Sequence, residues 1–457
     1  MENGRVADFE SFLKSSVARD FAARRQLAST WRLSEPEVAI LRHAPTLQPL
    51  FSAHGSQAVF EHERIFFPSY PYEWPPEMLR EAGHLTLELA RQALADGYCL
   101  KDATPYNVLF RGSEAVFVDL LSFERRVPED PVWRPYAQFV RTFILPLVAN
   151  RHWGLRLVDM FTARRDGLEP REIYRLCSPL QRLSSPIFSL VSAPTWLTAR
   201  ARKAGKGLFR QRRLADAEKA AYILDSCLKQ LGRALEAVKP PGRNDSVWSD
   251  YTQVHTYSTE AFAAKERFIG SVLNEFKPAR VLDVGANTGH FSVLAAQASA
   301  QVVAIDADPG CVGELWRLSH KKHFNILPLV VDLARPSPAL GWRNGECLSF
   351  LDRAMGAFDC VLMLAVIHHL HVTERIPLEE IFKLASELTT SLLVVEFVGP
   401  EDEMFQQLTR GREDLHKGLS ERVFEQACAA HFEIAQSLSL PRTHRKLYAL
   451  RKKGGDA

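Results

Sequence analysis

The residues best suited to chemistry lie in the segment VLDVGANTGHFS, Val281 to Ser292. Gly285 and Gly289 carry no Cβ, so backbone there can approach a ligand closely. A helix starting behind Gly289 turns its N-terminus toward the negative or electron-rich end of that ligand. The spacing is G-x-x-x-G, with Asn287 where a dinucleotide site places its second glycine. That argues against a pyrophosphate and for a ligand with an amino-acid moiety, whose ammonium Asp283 can face. Asp306 follows Asp283 by 23 residues and ends a second apolar run. A carboxylate at that place can accept both hydroxyls of a ribose. Asp332 ends a third run, placed to receive an adenine amino group, with the Leu333 amide beside it for a ring nitrogen.

For these acids to meet, their runs must be neighbouring strands of one sheet. The pattern predicts a helix over 258–275, a strand at Arg280–Val284, a helix after Gly289, and strands at Gln301–Ile305 and Ile326–Val331. Further runs at Cys360–Ala365 and Ser391–Phe397 read as strands. Runs that are apolar on both faces and separated by helix-length segments mark a parallel sheet covered on both sides. Phe432–Leu440 and Arg445–Arg451 read as a closing hairpin, so this half is expected as a doubly wound α/β sheet ending in an antiparallel strand.

The set VLDVGANTG, VVAIDADP, PLVVDL and FDCVLMLAVIHHL resembles the class I S-adenosylmethionine-dependent methyltransferase family, over roughly Tyr251 to Lys453. The resemblance implies a Rossmann-like seven-stranded sheet whose last strand is antiparallel, with S-adenosylmethionine as cofactor. It places Asp283, Gly285, Asn287 and Gly289 at the methionine end, Asp306 at the ribose, and Asp332 with Leu333 at the adenine. Methyl transfer from a sulfonium mainly needs alignment of nucleophile, carbon and sulfur. A hydroxyl or protonated-nitrogen acceptor needs a base as well. Small-molecule members of the family often carry a similar His-His-Leu, which makes His368 or His369 the candidate base. The loop lacks an Asn-Pro-Pro-Tyr-type signature of base and glutamine-amide methylation. No catalytic metal is expected, because Asp359 lies at the wrong end of its strand and Glu396, Glu401, Asp402 and Glu403 read mostly as solvated loop. Trp248, Tyr251 and Tyr257 read either as a lid over the cofactor or as a packed N-terminal arm.

The other half holds GYCLKDATPYNVLF, Gly97 to Phe110, then EAVFVDLLSFE, Glu114 to Glu124. Asp102, Asn107 and Asp119 in that order resemble the catalytic and metal-binding loops of the protein kinase-like and aminoglycoside phosphotransferase-like superfamily. A helix over 84–96 fits the same scaffold. There an Asp orients the acceptor while an Asn and a second Asp hold magnesium. No phosphate-covering glycine loop or strand lysine is recognisable, and Leu120-Leu121 follows Asp119 without a glycine. The expectation is a degenerate accessory domain of α+β type that performs no phosphotransfer.

Length and charge frame these sites. The chain has 457 residues, 24% of them charged, with a formal net charge of +3 and 46% hydrophobic. That excludes a largely disordered chain and one acting by overall polybasic attraction. The longest apolar stretch is Cys360 to Ile367, far short of the roughly 20 residues of a spanning helix. No basic region followed by an apolar segment opens the sequence, so no secretory signal is expected. Seven scattered cysteines without C-x-x-C read as reduced thiols, consistent with a cytoplasmic location. Seven basic residues and no acid occupy Arg200 to Arg213, a helical pattern spans 215–238 with Ile223, Leu224, Cys227, Leu228, Leu231, Leu235 and Val238 on one stripe, and KPPGRNDS, Lys239 to Ser246, breaks the chain.

The expected domains are 1–195 accessory, 196–250 basic and helical linker, and 251–457 methyltransferase. The two-part layout resembles rhizobial nodulation-type methyltransferases. The leading expectation is methylation of a small-molecule acceptor, a saccharide or lipid-linked intermediate. The competing ones are an RNA or protein methyltransferase docking through the basic linker, and a cofactor-binding regulatory protein without turnover. The oligomeric state is not encoded in any of these patterns.

Overall fold

Valine, leucine and isoleucine crowd the runs after residue 280, and β-branched side chains pack best on a pleated surface buried on both faces. In the computed structural model, which describes residues 3–45, 47–48, 51, 58–203, 213–240, 258–411 and 418–454, these runs form one seven-stranded sheet. Its strands are β1 (Arg280–Val284), β2 (Gln301–Asp306), β3 (Ile326–Val330), β4 (Phe358–Met363), β5 (Thr389–Val398), β6 (Phe432–Ser439) and β7 (Arg445–Lys452). The spatial order is β6-β7-β5-β4-β1-β2-β3. The sheet is parallel except for β7, which runs antiparallel to both β5 and β6. The expected hairpin is therefore what closes the sheet.

Helices α1 (Thr259–Phe276), α2 (His290–Gln297), α3 (Pro309–Lys322), α4 (Leu378–Leu388) and α5 (Glu421–Cys428) accompany these strands. Two of the helix starts are written locally. The Ser258 hydroxyl accepts the Ala261 N–H, and the Asp308 carboxylate accepts those of Gly310 and Cys311 ahead of Pro309 in the first turn. Ile269, Val272 and Leu273 of α1 join Val281, Val302, Leu362 and Val394 of the strands in one core cluster.

The chain divides into two compact units: Met1–Phe66, Met78–Phe110 and Glu114–Pro240 form the first, and Phe67–Glu77, Arg111–Ser113 and Pro241–Ala457 the second. The second unit thus recruits short pieces from the first half of the sequence. Phe67 packs against Phe350 and Phe358, each with ring centroids 5.8 Å apart. The buried carboxylate of Glu73 pairs with the buried guanidinium of Arg353, which also donates to the Pro68 carbonyl. The Trp316 indole N–H donates to the Ser113 carbonyl at 3.2 Å. No local pattern marks such pairings, because each partner lies more than 200 residues from the other.

The first unit is α+β, with helices and two-stranded ladders. Tyr98–Leu100 pairs with Phe123–Arg125, and Val108–Arg111 forms a sheet with Glu114–Phe117. The helix foreseen over 215–238 spans Ala217–Ala237, capped by Asp216. It belongs to this unit's core instead of serving as linker. Leu224, Leu228, Leu231 and Leu235 are buried, while Arg80 and His84 both reach Glu236. Ile223, foreseen on the same stripe, is exposed, because the packed face turns toward Ala220 and Ala234. Among the described residues, no helix is long and apolar enough to cross a membrane. Most of the basic run, and the break from residue 241 onward, lie outside the described residues.

Candidate active site

Chain direction and register bring the three acids together. β3, β2 and β1 are neighbours, with Val284 opposite Ile305 and Asp306 opposite Val330. Asp283 and Asp306 therefore sit at the carboxyl ends of adjacent strands, and Asp332 lies two residues beyond β3. Ligands in open α/β sheets bind at this edge.

The turn after β1 is built on left-handed backbone: φ is +69° at Gly285, +51° at Asn287 and +84° at Gly289. The Gly285 and Ala286 N–H groups both donate to the Ile305 carbonyl, at 2.8 and 3.0 Å, which ties the turn to β2. The glycines are required for a reason beyond ligand access. A Cβ on Gly285 would stand 2.5 Å from Val366 Cγ2, and one on Gly289 would overlap Leu315 of α3. The Cβ directions of both glycines thus face side chains of the protein itself.

The Asp306 carboxylate bridges two loops, accepting the Asn287 N–H at 2.8 Å on Oδ2 and the Asp308 N–H at 2.9 Å on Oδ1. Burial holds its carboxyl above the usual range, against the pull of those two amides. Each oxygen keeps a lone pair beyond the amide it already accepts. Asp283 is 2% exposed and accepts the Ser292 hydroxyl at 2.5 Å. Burial pushes its carboxyl up to about 7, and the Asp306 charge adds to this, while Ser292 and Lys265 act in the other direction. Asp332 is only partly buried. It accepts the Ala334 N–H at 2.9 Å and meets Arg335 at 3.2 Å, and Arg335 also forks onto Glu374. Leu333, next in sequence, is buried.

β4 pairs directly with β1. The chain leaves β4 through Leu364 and Ala365, the latter at φ +56°, before Val366 closes over Gly285. His368 and His369 follow, with ring centroids 4.3 Å apart. His368 is 3% exposed, and neither ring nitrogen has a partner among the described residues. Burial holds its imidazole well below the usual range, helped by the neighbouring His369, Arg445 and Lys265. His369 is half-buried and shifted the same way, by burial and then Arg445. Both rings are therefore neutral near pH 7, the state in which a base accepts a proton.

Beneath this edge lies a charged network that the sequence pattern does not reveal. Lys265 Nζ of α1 meets Glu396 Oε2 of β5 at 2.6 Å. Arg445 of β7 reaches Glu396 at 3.6 Å and holds Asp402 through two bonds of 2.6 and 3.0 Å. Glu396 and Asp402, which read as solvated loop in the sequence, are both buried. The available signal was an acid inside the apolar run LLVVEFV, where only a paired charge is tolerated. Asp359 lies at the opposite end of the sheet, accepting the Ala279 and Arg280 N–H groups. Among the described residues, no group of three or more His, Cys, Asp or Glu is placed to hold a metal ion. Trp248, Tyr251 and Tyr257 lie outside the described residues.

In the first unit, Asn107 Nδ2 donates to Ser122 Oγ at 3.1 Å, and that hydroxyl donates to Asp119 Oδ2. The Val118 N–H donates to the Asn107 carbonyl at 2.8 Å. Asp102 is exposed. The Asn and second Asp of the kinase-like pattern are thus tied to one serine, an arrangement that braces a loop.

A family model described as a methyltransferase domain matches residues 254–431. The nodulation protein NoeA of Rhizobium meliloti (strain 1021) is 30% identical over 464 residues, spanning 98% of this chain and 94% of that protein. Among solved structures, magnesium protoporphyrin IX methyltransferase (ChlM) from Synechocystis PCC 6803 with bound SAH aligns at 18% identity and a TM-score of 0.31, covering 47% of this chain and 90% of that one. The N-methyltransferase NodS from Bradyrhizobium japonicum WM9 aligns at 13% identity and a TM-score of 0.32, covering 43% and 98%.

Proposed function

Because the chain belongs to the family of the nodulation protein NoeA and is an S-adenosylmethionine-dependent methyltransferase, we propose that it methylates a small-molecule acceptor, a saccharide or lipid-linked intermediate. The observation that carries this reading is the meeting of Asp283, Asp306 and Asp332 on one sheet edge, beside a histidine-bearing loop packed on Gly285.

The residues present fit the cofactor. Asp306 has a free lone pair on each oxygen for two ribose hydroxyls. Asp283 offers a buried carboxylate to an ammonium, and the turn of Gly285, Asn287 and Gly289 carries the methionine end. Asp332 takes the adenine amino group and Leu333 lines that end. When bound, S-adenosylmethionine supplies a methyl group on a sulfonium that departs as a neutral thioether. The protein's work is then to hold the acceptor in line and keep water out. His369 takes the acceptor's proton, and neutral His368 packs against it with its ring tilted by 40°.

The relative's nodulation role supports a modified saccharide signal as acceptor. The first unit is read as an accessory module that presents the acceptor and transfers no phosphoryl group, since Asn107 and Asp119 share Ser122.

The test is incubation with isotopically labelled S-adenosylmethionine and a panel of oligosaccharide and lipid-linked saccharide acceptors, followed by mass spectrometry. Label in a saccharide product that disappears in His369→Ala supports the reading. Label only in RNA or protein would overturn it in favour of those acceptors. Cofactor binding without any labelled product would leave a regulatory role.

A further inference from the structure

The buried ion network of the second unit has an arm that leads to the histidine turn. Arg445 of β7 holds both carboxylate oxygens of Asp402, Nε to Oδ2 at 2.6 Å and Nη2 to Oδ1 at 3.0 Å. Their side chains are 2% and 10% exposed. A planar guanidinium that grips a carboxylate at two points fixes direction as well as distance. Asp402 is also the N-cap of the short helix Glu403–Thr409, its Oδ1 accepting the Met404 N–H at 3.0 Å. The Gly399 N–H donates to the His444 carbonyl at 2.8 Å, which ties the chain leaving β5 to the start of β7 a second time.

The helix that Asp402 starts packs on the turn that carries the histidines. Phe405, buried in its first turn, forms one apolar cluster with Val372 and Val398, against which Leu408 and Leu419 pack. Val372 belongs to the helical turn His369–Thr373, whose preceding residue is His368. Each link from Arg445 to that turn is therefore a contact: guanidinium to carboxylate, carboxylate to helix start, phenyl ring to valine.

We propose that Arg445 is a positioning residue for methyl transfer, which through Asp402 and Phe405 holds the turn of His368 and His369 in the orientation that proton transfer needs. The inference rests on the reading of His369 as the base. Two features point to position over bulk stability. A buried ion pair is a poor source of stability, because desolvation consumes most of its attraction. And neither ring nitrogen of His368 has a partner among the described residues, so packing alone orients that ring. What stands behind the turn then decides where the two imidazoles lie. After burial, the Arg445 charge is the next cause that holds the His369 imidazole below its usual range. The same guanidinium therefore favours the neutral ring that a base requires.

The test is nuclear magnetic resonance of the full chain labelled with carbon-13 at histidine Cε1, with the two signals assigned from His368→Gln and His369→Gln. Two variants interrupt the arm at different links. Arg445→Met with Asp402→Leu removes both charges together, and Phe405→Ala leaves the ion pair intact. Each should shift both imidazole signals, while calorimetric affinity for S-adenosylhomocysteine stays within about twofold. Label transfer to the saccharide panel should fall by about tenfold or more in each, since displacing a reacting group by a fraction of its reach costs rate. Should the double variant fail to fold, Arg445→Lys, which keeps the charge and loses the fork, gives the same comparison. Unmoved imidazole signals in a folded ion-pair variant overturn the proposal. So does a shift there with none in Phe405→Ala, which would mean that charge alone reaches the rings. Full turnover in His369→Ala would overturn the base assignment instead, because the imidazole signals read the positioning without any acceptor.

Discussion

Lys265 and Glu396 meet at 2.6 Å with side-chain exposures of 4% and 0%, joining the first helix of the catalytic unit to its fifth strand. Removing one partner strands a charge in a medium that solvates it poorly. Lys265→Met or Glu396→Gln should cost about 3–5 kcal/mol of stability, and replacing both by apolar residues should recover most of that. Urea unfolding of the two single variants and the double variant checks this; a double-variant loss equal to the sum of the two single losses would show that the pair is not coupled.

The Asp283 carboxyl, raised to about 7 mainly by burial, sets a pH dependence of known sign. Its folded value lies above the unfolded one, so its contribution to stability is full below about pH 4 and is lost as pH rises through about 7. An ammonium ligand needs the ionised form and therefore binds in the opposite sense. Cofactor affinity should tighten by about tenfold between pH 6 and pH 8, and Asp283→Asn should flatten that slope. Calorimetry across this range reads both, with Asp306, Ser292 and Lys265 left intact as the groups that tune the carboxyl.

Gly285 combines a φ of +69° with a Cβ direction blocked by Val366. Gly285→Ala should lose about 1–2 kcal/mol from the backbone alone, and more from displacing the histidine loop. Adding Val366→Ala should restore only the second part. If the double variant is no more stable than the single one, Val366 is not what the glycine accommodates.

Asp306→Ala removes the acceptor of two backbone amides as well as the proposed ribose contact. Cofactor affinity should fall by about 1–3 kcal/mol. Asp306→Asn keeps one acceptor oxygen and should fall between. Unchanged calorimetric affinity in the alanine variant would remove the residue from the site.

His369→Ala should lower turnover more than cofactor affinity, because a proton acceptor matters in the chemical step. A matched loss in both quantities would mean the ring only supports the loop.

What can be read from residues alone follows from how local each cause is. The acids at 283, 306 and 332 are visible because strand ends and the residues after them are adjacent in sequence. The hairpin is visible because its apolar runs and its turn are contiguous. Glu396 reads as solvated because its partner lies 131 residues away in α1, so the charge inside an apolar run has no visible neutraliser. The turn glycines read correctly as tight backbone but for an incomplete reason, since Val366 and Leu315 reach them only through the folded sheet. Ile223 reads onto the wrong face because a stripe of apolar residues wide enough for two faces does not say which one packs.

The Glu73–Arg353 pair has a practical side. An expression fragment that starts at the Pro-Pro break discards the acid together with Phe67, and so uncovers Arg353, Phe350 and Phe358. Such a truncation would precipitate or misfold for reasons unrelated to methyl transfer, and a negative assay on it would mislead. Constructive dissection of this protein therefore begins upstream of Phe67, or supplies residues 67–77 as a tethered peptide.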